Sequence, residues 1–373
     1  TLNQLMLFDY TLPETQQLRG TIQLPLYSEL VEIGEASGGF TLACVASKGN
    51  PAGDVIAIYD ITNPAAWVHR STITGFRTHL MSVSSSRMYI FTTASEFKII
   101  ELAFPTTPGM RSTTLYGGSY TNYTALASWS NNAAALGTAT TGLWLINTTN
   151  ATAPLVSGIW NPVTGYSVHA LAKGPGVLYV SATAATPTTP PAPPATHNRF
   201  ESLLVTNLAA PAQRFLHSPT SGAGSQGYLD SLTYLSTPAG NFVVATRPGL
   251  DNYPYTFPAQ NNTATLYALG SFFATENITA PVATVTLEQA HGNVAPGGAS
   301  APGGGSGSAR FIAAADAAGL YQVAMPAQWA PAYAAVPVNT TVCHGADTFF
   351  NSLVSANPSS VTFQWYRNGT ALT

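Results

Sequence analysis

The sequence predicts an all-β fold: a seven-bladed β-propeller over residues 1–337, with a six-bladed ring as the alternative, and a distinct segment over 338–373. Three observations predict it. Short apolar runs recur at a spacing near that of a propeller blade. Each run is bounded by Gly, Pro, Ser or Asn, as hairpin strands are. Long stretches of helical period are missing, and 32 glycines and 27 prolines would break most helices.

The recurring unit is three to five apolar or β-branched residues, an Asp/Asn-like position, then a turn containing proline. It begins as Leu5-Met6-Leu7-Phe8-Asp9 with Pro13 and returns as Ile56-Ala57-Ile58-Tyr59-Asp60-Ile61-Thr62-Asn63-Pro64. Lys98-Ile99-Ile100-Glu101-Leu102 with Pro105 is next, then Leu143-Trp144-Leu145-Ile146-Asn147 with Pro154. Leu203-Leu204-Val205-Thr206-Asn207 with Pro211 follows. Leu266-Tyr267-Ala268-Leu269-Gly270 and Leu320-Tyr321-Gln322-Val323-Ala324 are weaker copies. Anchors at 9, 60, 101, 147, 207, 270 and 324 are spaced by 51, 41, 46, 60, 63 and 54 residues. The longer intervals hold a Pro-rich stretch at 187–194 and a Gly/Ser/Ala/Pro stretch at 296–308. Both read as insertions too poor in apolar residues to join a core.

Between the anchors lie hairpins: 80–83 with 88–91, 168–171 with 177–180, and 229–234 with 242–245. The count is seven outer strand pairs and six inner pairs, hence six full blades and an N-terminal half-blade. A four-stranded blade exposes faces that only neighbouring blades cover, so the ring is expected to close. The missing inner pair is expected from sequence before Thr1 or from ring closure.

The run 55–64 resembles the LVIVD repeat of β-propellers, a strand ending in Asp followed by an Asn-Pro turn. The likeness extends over residues 5–337 and is clearest in the second and fourth copies; Glu101, Gly270 and Ala324 depart from Asp/Asn. An Asp or Asn there bonds a backbone N–H two residues on, which is a structural role. The resemblance implies a secreted or surface propeller and no single activity.

After Pro337 the texture changes. Val342-Cys343-His344-Gly345 and Phe363-Gln364-Trp365-Tyr366-Arg367-Asn368-Gly369 resemble the first half of an immunoglobulin-like domain. The resemblance implies a disulfide from Cys343 to a later strand, with the Trp packed on it. Half a sandwich cannot bury its core, so the chain is expected to continue past Thr373, with the partner of Cys343 beyond it. Pairing with Cys44 is the other option. Cys44, in the run 40–45, reads as a small apolar filler of a buried strand. Thr1 is not a start methionine and no signal peptide is present, so the chain reads as processed or as a fragment.

Charged residues are only 8% of the chain and net charge is -3. With no basic run, binding to nucleic acid or to an anionic membrane has little to drive it. No uninterrupted apolar stretch reaches the roughly 18 residues of a membrane span. Seven Asn-X-Thr sequons occur, at Asn122, Asn147, Asn150, Asn261, Asn277, Asn339 and Asn368. Alongside three lysines (Lys48, Lys98 and Lys173) they favour an extracellular glycoprotein of the cell surface. Its covalent N-glycans would keep a nearly neutral surface soluble.

No zinc-protease, nucleophile-elbow, phosphate-loop or calcium-loop motif is present, so no catalytic, metal or cofactor residue is assigned. His79 and His169 sit at similar places at the start of inner strands, with Asp230 comparable in a later blade. They read as channel-lining polar residues; a metal or acid–base site is the alternative. Trp67, Trp129, Trp144, Trp160 and Trp329 read as core and inter-blade packing, with exposed sugar platforms as the alternative.

The expected function is structural and not enzymatic: a glycosylated propeller with an Ig-like module, building a cell-surface filament through self-association or contact with other surface glycoproteins. The composition is similar to that of algal surface fibres such as mastigonemes, whose shaft glycoproteins are rich in Ala, Gly, Pro and Thr. Two alternatives stand: an adhesin or glycan-binding module using the propeller face, and a propeller enzyme with a channel-mouth site at His79, His169 and Asp230.

Overall fold

The computed structural model describes residues 4–9, 17–24, 28–184, 198–217 and 231–247 apart from short interruptions, and beyond 247 the strands named below. Two compact units are present, Thr1–Leu232 and Thr233–Thr373.

The first unit opens with a hairpin, β1 (Gln4–Asp9) and β2 (Gln17–Gln23). Four antiparallel sheets of four strands follow, each a meander in chain order. Sheet 1 is β3 (Ser28–Ala36), β4 (Phe40–Ser47), β5 (Val55–Asp60) and β6 (Val68–Thr74). Sheet 2 is β7 (Thr78–Ser84), β8 (Arg87–Thr92), β9 (Glu96–Glu101) and β10 (Gly109–Leu115). Sheet 3 is β11 (Tyr123–Ser130), β12 (Ala133–Thr138), β13 (Leu143–Asn147) and β14 (Leu155–Trp160). Sheet 4 is β15 (Ser167–Gly174), β16 (Val177–Thr183), β17 (Asn198–Leu204) and β18 (Ala212–His217). The hairpins expected at 80–91 and 168–180 are β7–β8 and β15–β16.

A fifth four-stranded sheet begins at the boundary of the units: β19 (Ser231–Thr237), β20 (Gly240–Arg247), β21 (Thr263–Phe272) and β22 (Thr275–Thr286). After it come a three-stranded sheet, β23 (Ala295–Ser300), β24 (Phe311–Ala315) and β25 (Leu320–Ala324), and a pair, β26 (Trp329–Ala335) with β27 (Leu353–Asn357). The last hairpin is β28 (Tyr366–Arg367) with β29 (Thr370–Ala371).

The middle strands of the first unit are buried on both faces, which is why they read as near-continuous apolar runs. Side chains alternate with a period of two. Ile56 and Ile58 of β5 join Met81, Val83, Met88 and Ile90 of sheet 2, while Ala57 and Tyr59 join Leu24, Ile22 and Trp67. The next seam packs Tyr89, Phe91, Phe97 and Ile99 against Tyr123, Leu136 and Ile146. The third packs Ala135, Leu143 and Leu145 against Val168, Leu178, Val180 and Leu203. Face-to-face stacking of consecutive four-stranded meanders is the propeller-type arrangement. The first strands β3, β7, β11 and β15 are successive neighbours, so β6, β10, β14 and β18 are the outer edges.

Small residues set the approach of the sheets. A Cβ on Gly158 of β14 would lie 2.1 Å from the Leu208 carbonyl oxygen in the β17–β18 turn. That turn is pinned, because Asn207 Oδ1 accepts from Ala209 N at 3.1 Å and Asn207 O from Ala210 N at 3.2 Å. Gly158→Ala is therefore expected to cost about 1–3 kcal/mol, as overpacking does when backbone must move. Urea unfolding followed by tryptophan fluorescence checks it.

The tryptophan packing reading holds for Trp67, Trp129, Trp144 and Trp160, all half-buried against these clusters. Cys44 is fully buried, and burial with Glu32 nearby pushes its thiol up to about 12, which makes it inert filler. Cys343 and the side chain of Trp329 lie outside the described residues.

Two expectations need correction. Asp60, Glu101 and Asn147 end their third strands, but β17 ends at Leu204. The equivalent anchor is thus Leu204, and Asn207 matches Asn63 and Asn150, three residues further on. The second concerns 296–308, expected as an insertion. Ala295–Ser300 is a strand, at the edge of its sheet, where Pro296 opposes Ala314 and costs no inner ladder bond.

The side-chain role expected at the anchors is present. Asp60 Oδ1 accepts from Thr62 N at 3.0 Å, and Asn147 Oδ1 from Thr149 N at 2.9 Å. Asp60 Oδ2 also takes Arg70 Nη2 at 2.5 Å. Burial alone would raise the Asp60 carboxyl, but the Thr62 and Arg70 hydrogen bonds outweigh it and hold it below the usual range. A depressed folded value gives stability that is present above the ordinary carboxylate range and lost as pH falls below it. Asp60→Ala is expected to cost about 2 kcal/mol at pH 7, and Asp60→Asn, which keeps the turn acceptor, about half that. Repeating the unfolding at pH 3 should shrink both differences.

Candidate functional site

Three sequons fall in described segments with their side chains, and all belong to sheet 3 or its approach. Asn122 closes a 3-10 turn (Tyr120–Asn122) between β10 and β11 and is exposed. Its carbonyl accepts from Ala139 N at 2.8 Å, which places it beside the β12–β13 turn. Asn147 and Asn150 lie at the opposite end of the sheet, in the β13–β14 turn. Thr148 N donates to Asn132 O at 2.9 Å there. Asn150 is exposed; its Oδ1 accepts from Thr152 N at 3.1 Å and Thr152 Oγ1 at 2.7 Å. Asn147 is half-buried and engaged through Oδ1 in the same way. Both turns use the carbonyl oxygen and leave the amide nitrogen, the atom that would carry a glycan. Asn277 lies in β22 with its side chain undescribed, and Asn261, Asn339 and Asn368 lie outside the described residues.

The two histidines occupy one structural position. In each first strand the register skips a residue near its start: Glu29 in β3, His79 in β7, Thr124 in β11 and His169 in β15. Such bulges re-aim a side chain out of the ladder. His79 Nε2 donates to Tyr123 O at 2.8 Å, and its ring meets Tyr120 edge-on at 5.0 Å. Thr124 Oγ1 donates to Val168 O at 2.5 Å. Each of these bulge side chains ties its strand to the carbonyl just before the next strand's bulge. His169 Nε2 instead meets Thr183 Oγ1 of its own sheet at 2.9 Å, and burial holds its ring down to about 4, neutral at physiological pH. His79 and His169 therefore engage different partners and do not converge. Asp230 lies outside the described residues.

A second polar pair sits on the same first strands. Glu32 of β3 is half-buried, and burial pushes its carboxyl up to about 7, against a Val83 backbone hydrogen bond and the charge of Lys173. Lys173 of β15 reaches Val83 O of β7 at 3.5 Å, and burial lowers it while Glu32 opposes the shift. Nearby on these strands Ser82 Oγ and Ser128 Oγ are 2.9 Å apart. Sequence reasoning missed this pair. Its signal was a carboxylate in mid-strand, Leu30-Val31-Glu32-Ile33, and one of three lysines. Chemically it takes up a proton near neutral pH.

No protein-family model matches the chain, and no characterised relative matches its sequence. Similar solved structures exist. A chain of the mitotic checkpoint complex aligns with a TM-score of 0.51 and 12% identity, over 83% of this chain and 79% of that one. A chain of the COPII outer coat vertex on membranes aligns with a TM-score of 0.50 and 9% identity, over 78% and 70%. The WD40 repeats of RRP9 align at 0.49 and 12% identity, over 80% and 77%. At such identities the likeness concerns the fold alone, an all-β propeller type.

Proposed function

We propose that the chain is an extracellular structural glycoprotein, a repeat unit of a cell-surface filament. In this reading it is an LVIVD-type propeller of seven blades. An Ig-like segment begins near residue 338, and Cys343 pairs with a cysteine beyond Thr373. A mastigoneme-like fibre is the assembly it suits best.

One observation carries the reading: exposed sequon asparagines, Asn122 and Asn150, stand at the two opposite ends of one sheet, and the Asn150 turn bonds through Oδ1, which leaves its amide nitrogen available. Carbohydrate at the two ends of sheet 3 leaves the rest of the outer surface for contact with neighbours. A chain with 8% charged residues suits dry side-by-side packing.

Secretion from a eukaryotic host followed by glycopeptide mapping tests the first half. Occupied Asn122 and Asn150 are expected; bare asparagines at both would sink the glycoprotein reading. Electron microscopy over a concentration series tests the second. A particle that never exceeds a monomer would overturn the filament.

A further inference from the structure

The outer strands carry their own repeated bulge. Register skips Arg70 in β6, Arg111 in β10, Ser157 in β14 and Arg214 in β18. Each lies ten residues after the last residue of its third strand: Asp60, Glu101, Asn147 and Leu204. In β22 of sheet 5 the register skips Val282, next to Pro281, and shifts again at Thr279 and Ala280. An outer strand presents unpaired N–H and C=O groups, and a bulge bearing a cation, or a proline, is a recognised deterrent to pairing with another chain.

Sheet 3 lacks the cation. Its bulge residue is Ser157, and β14 (Leu155–Trp160) has no charged residue at all. Yet Leu155 is 66% and Ile159 56% exposed on it. A second copy of β14 fits this edge without repulsion, since a two-fold antiparallel pairing sets Leu155 opposite Trp160 and Val156 opposite Ile159. The same pairing of β6, β10 or β18 with itself sets Arg70 opposite Thr72, Arg111 opposite Thr113 and Arg214 opposite Phe215. Each join therefore holds two arginines one or two positions apart, Arg70 and Arg111 also reaching Asp60 and Glu101 of their own sheets.

The sequons fall where the arginines do not. Sheets 1, 2 and 4, which keep Arg70, Arg111 and Arg214, contain none in 28–74, 78–115 or 167–217. Sheet 3 has Asn147 and Asn150 in the turn leading into β14, and sheet 5 has Asn277 within β22.

We infer that carbohydrate on Asn150 replaces the bulge arginine in sheet 3, guarding the β14 edge against β14 of a second copy. Asn150 is the exposed member of the pair and stands five residues before Leu155. The inference rests on the glycoprotein reading. A branched, hydrated glycan at that point covers the entry to the edge as a charge would, and suits a chain with few charges.

The test uses the full chain secreted from a eukaryotic host. Thr152→Ala removes the sequon while keeping the Asn150 turn bond to the residue-152 N–H. Glycopeptide mapping of the parent reports occupancy at Asn150, and sedimentation velocity of both proteins reports association. The variant is expected to self-associate at least tenfold more tightly than the parent, and the added change Ser157→Arg to reverse it. Endoglycosidase trimming of the folded parent, which acts at every occupied sequon, gives a second comparison without a substitution that could impair folding. If Asn150 is bare in the parent, the glycoprotein reading fails at this site and the inference falls with it. If Asn150 is occupied and neither its loss nor trimming changes sedimentation, the inference alone is overturned.

Discussion

Arg199→Ala is expected to lower the unfolding free energy of the first unit by about 3–5 kcal/mol, the usual cost of stripping one partner from a buried ion pair. Its partner, Glu201 of β17, is fully buried. Arg199 Nε donates to Glu201 Oε1 at 2.5 Å, while Trp160 Nε1 and Gln213 Nε2 each donate to Oε2 at 3.2 Å. Burial, with the Glu201 charge adding to it, also pushes the neighbouring Tyr166 phenol strongly upward, so no second acid waits to share the proton load. Without Arg199 the carboxylate keeps two neutral donors and no counter-charge in the seam between sheets 3 and 4. Replacing both charges, as Arg199→Leu with Glu201→Leu, is expected to recover most of the loss, because the pair itself repays its desolvation poorly. Urea unfolding followed by fluorescence decides it. A loss below about 1 kcal/mol for Arg199→Ala, in the range of an exposed pair, would mean that Trp160 and Gln213 suffice.

How much of this could be read beforehand depends on how local each feature is. The third-strand anchors were legible at Asp60 and Asn147 because the turn chemistry demands a short side-chain acceptor. The same chemistry misled at Asn207. The strand end and the position three residues later both accept from a backbone N–H two residues on, as Asp60 and Asn63 do together. A single asparagine does not tell which of the two it occupies, and β17 fills the first with Leu204. The first-strand bulges hold Glu29, His79, Thr124 and His169, three residue types with no common chemistry. Only the ladder defines that position, so the likeness of His79 and His169 was visible while its cause was not. The outer bulge arginines share a ten-residue offset, but an offset becomes readable only after its origin, the third-strand end, is correctly placed. Glu32 and Lys173 lie on different sheets, and no short-range pattern links them.

That last pair, taken with His169, leads to a pH prediction with two opposing limbs. Burial raises Glu32 from an ordinary 4.5 to about 7, so the folded state binds its proton more tightly than the unfolded chain does. Its contribution is fully present below pH 4.5 and lost as pH rises through 7. Burial lowers His169 from 6.5 to about 4, so here the unfolded chain binds the proton first. Its contribution is fully present above pH 6.5 and lost as pH falls toward 4. Each limb is worth roughly 3 kcal/mol over its window, at about 1.4 kcal/mol per pH unit. Between pH 4.5 and 6.5 the slopes have opposite signs and nearly cancel, so the parent chain is expected to show a flat profile there. The single variants separate the limbs. Glu32→Gln leaves His169 in charge, and stability should climb with pH across the window. His169→Gln leaves Glu32 in charge, and stability should fall. Lys173 faces Glu32 and moderates its limb by favouring the carboxylate, as the Val83 backbone hydrogen bond does, while the neighbouring Cys44 thiol stays neutral throughout. Asp60 begins to subtract stability only below the usual carboxylate range, outside this window. Unfolding midpoints of the three proteins at half-unit pH steps suffice. Parallel profiles would show that neither side chain changes its protonation on folding, and that the polar lining of the first strands is as wet as the rim.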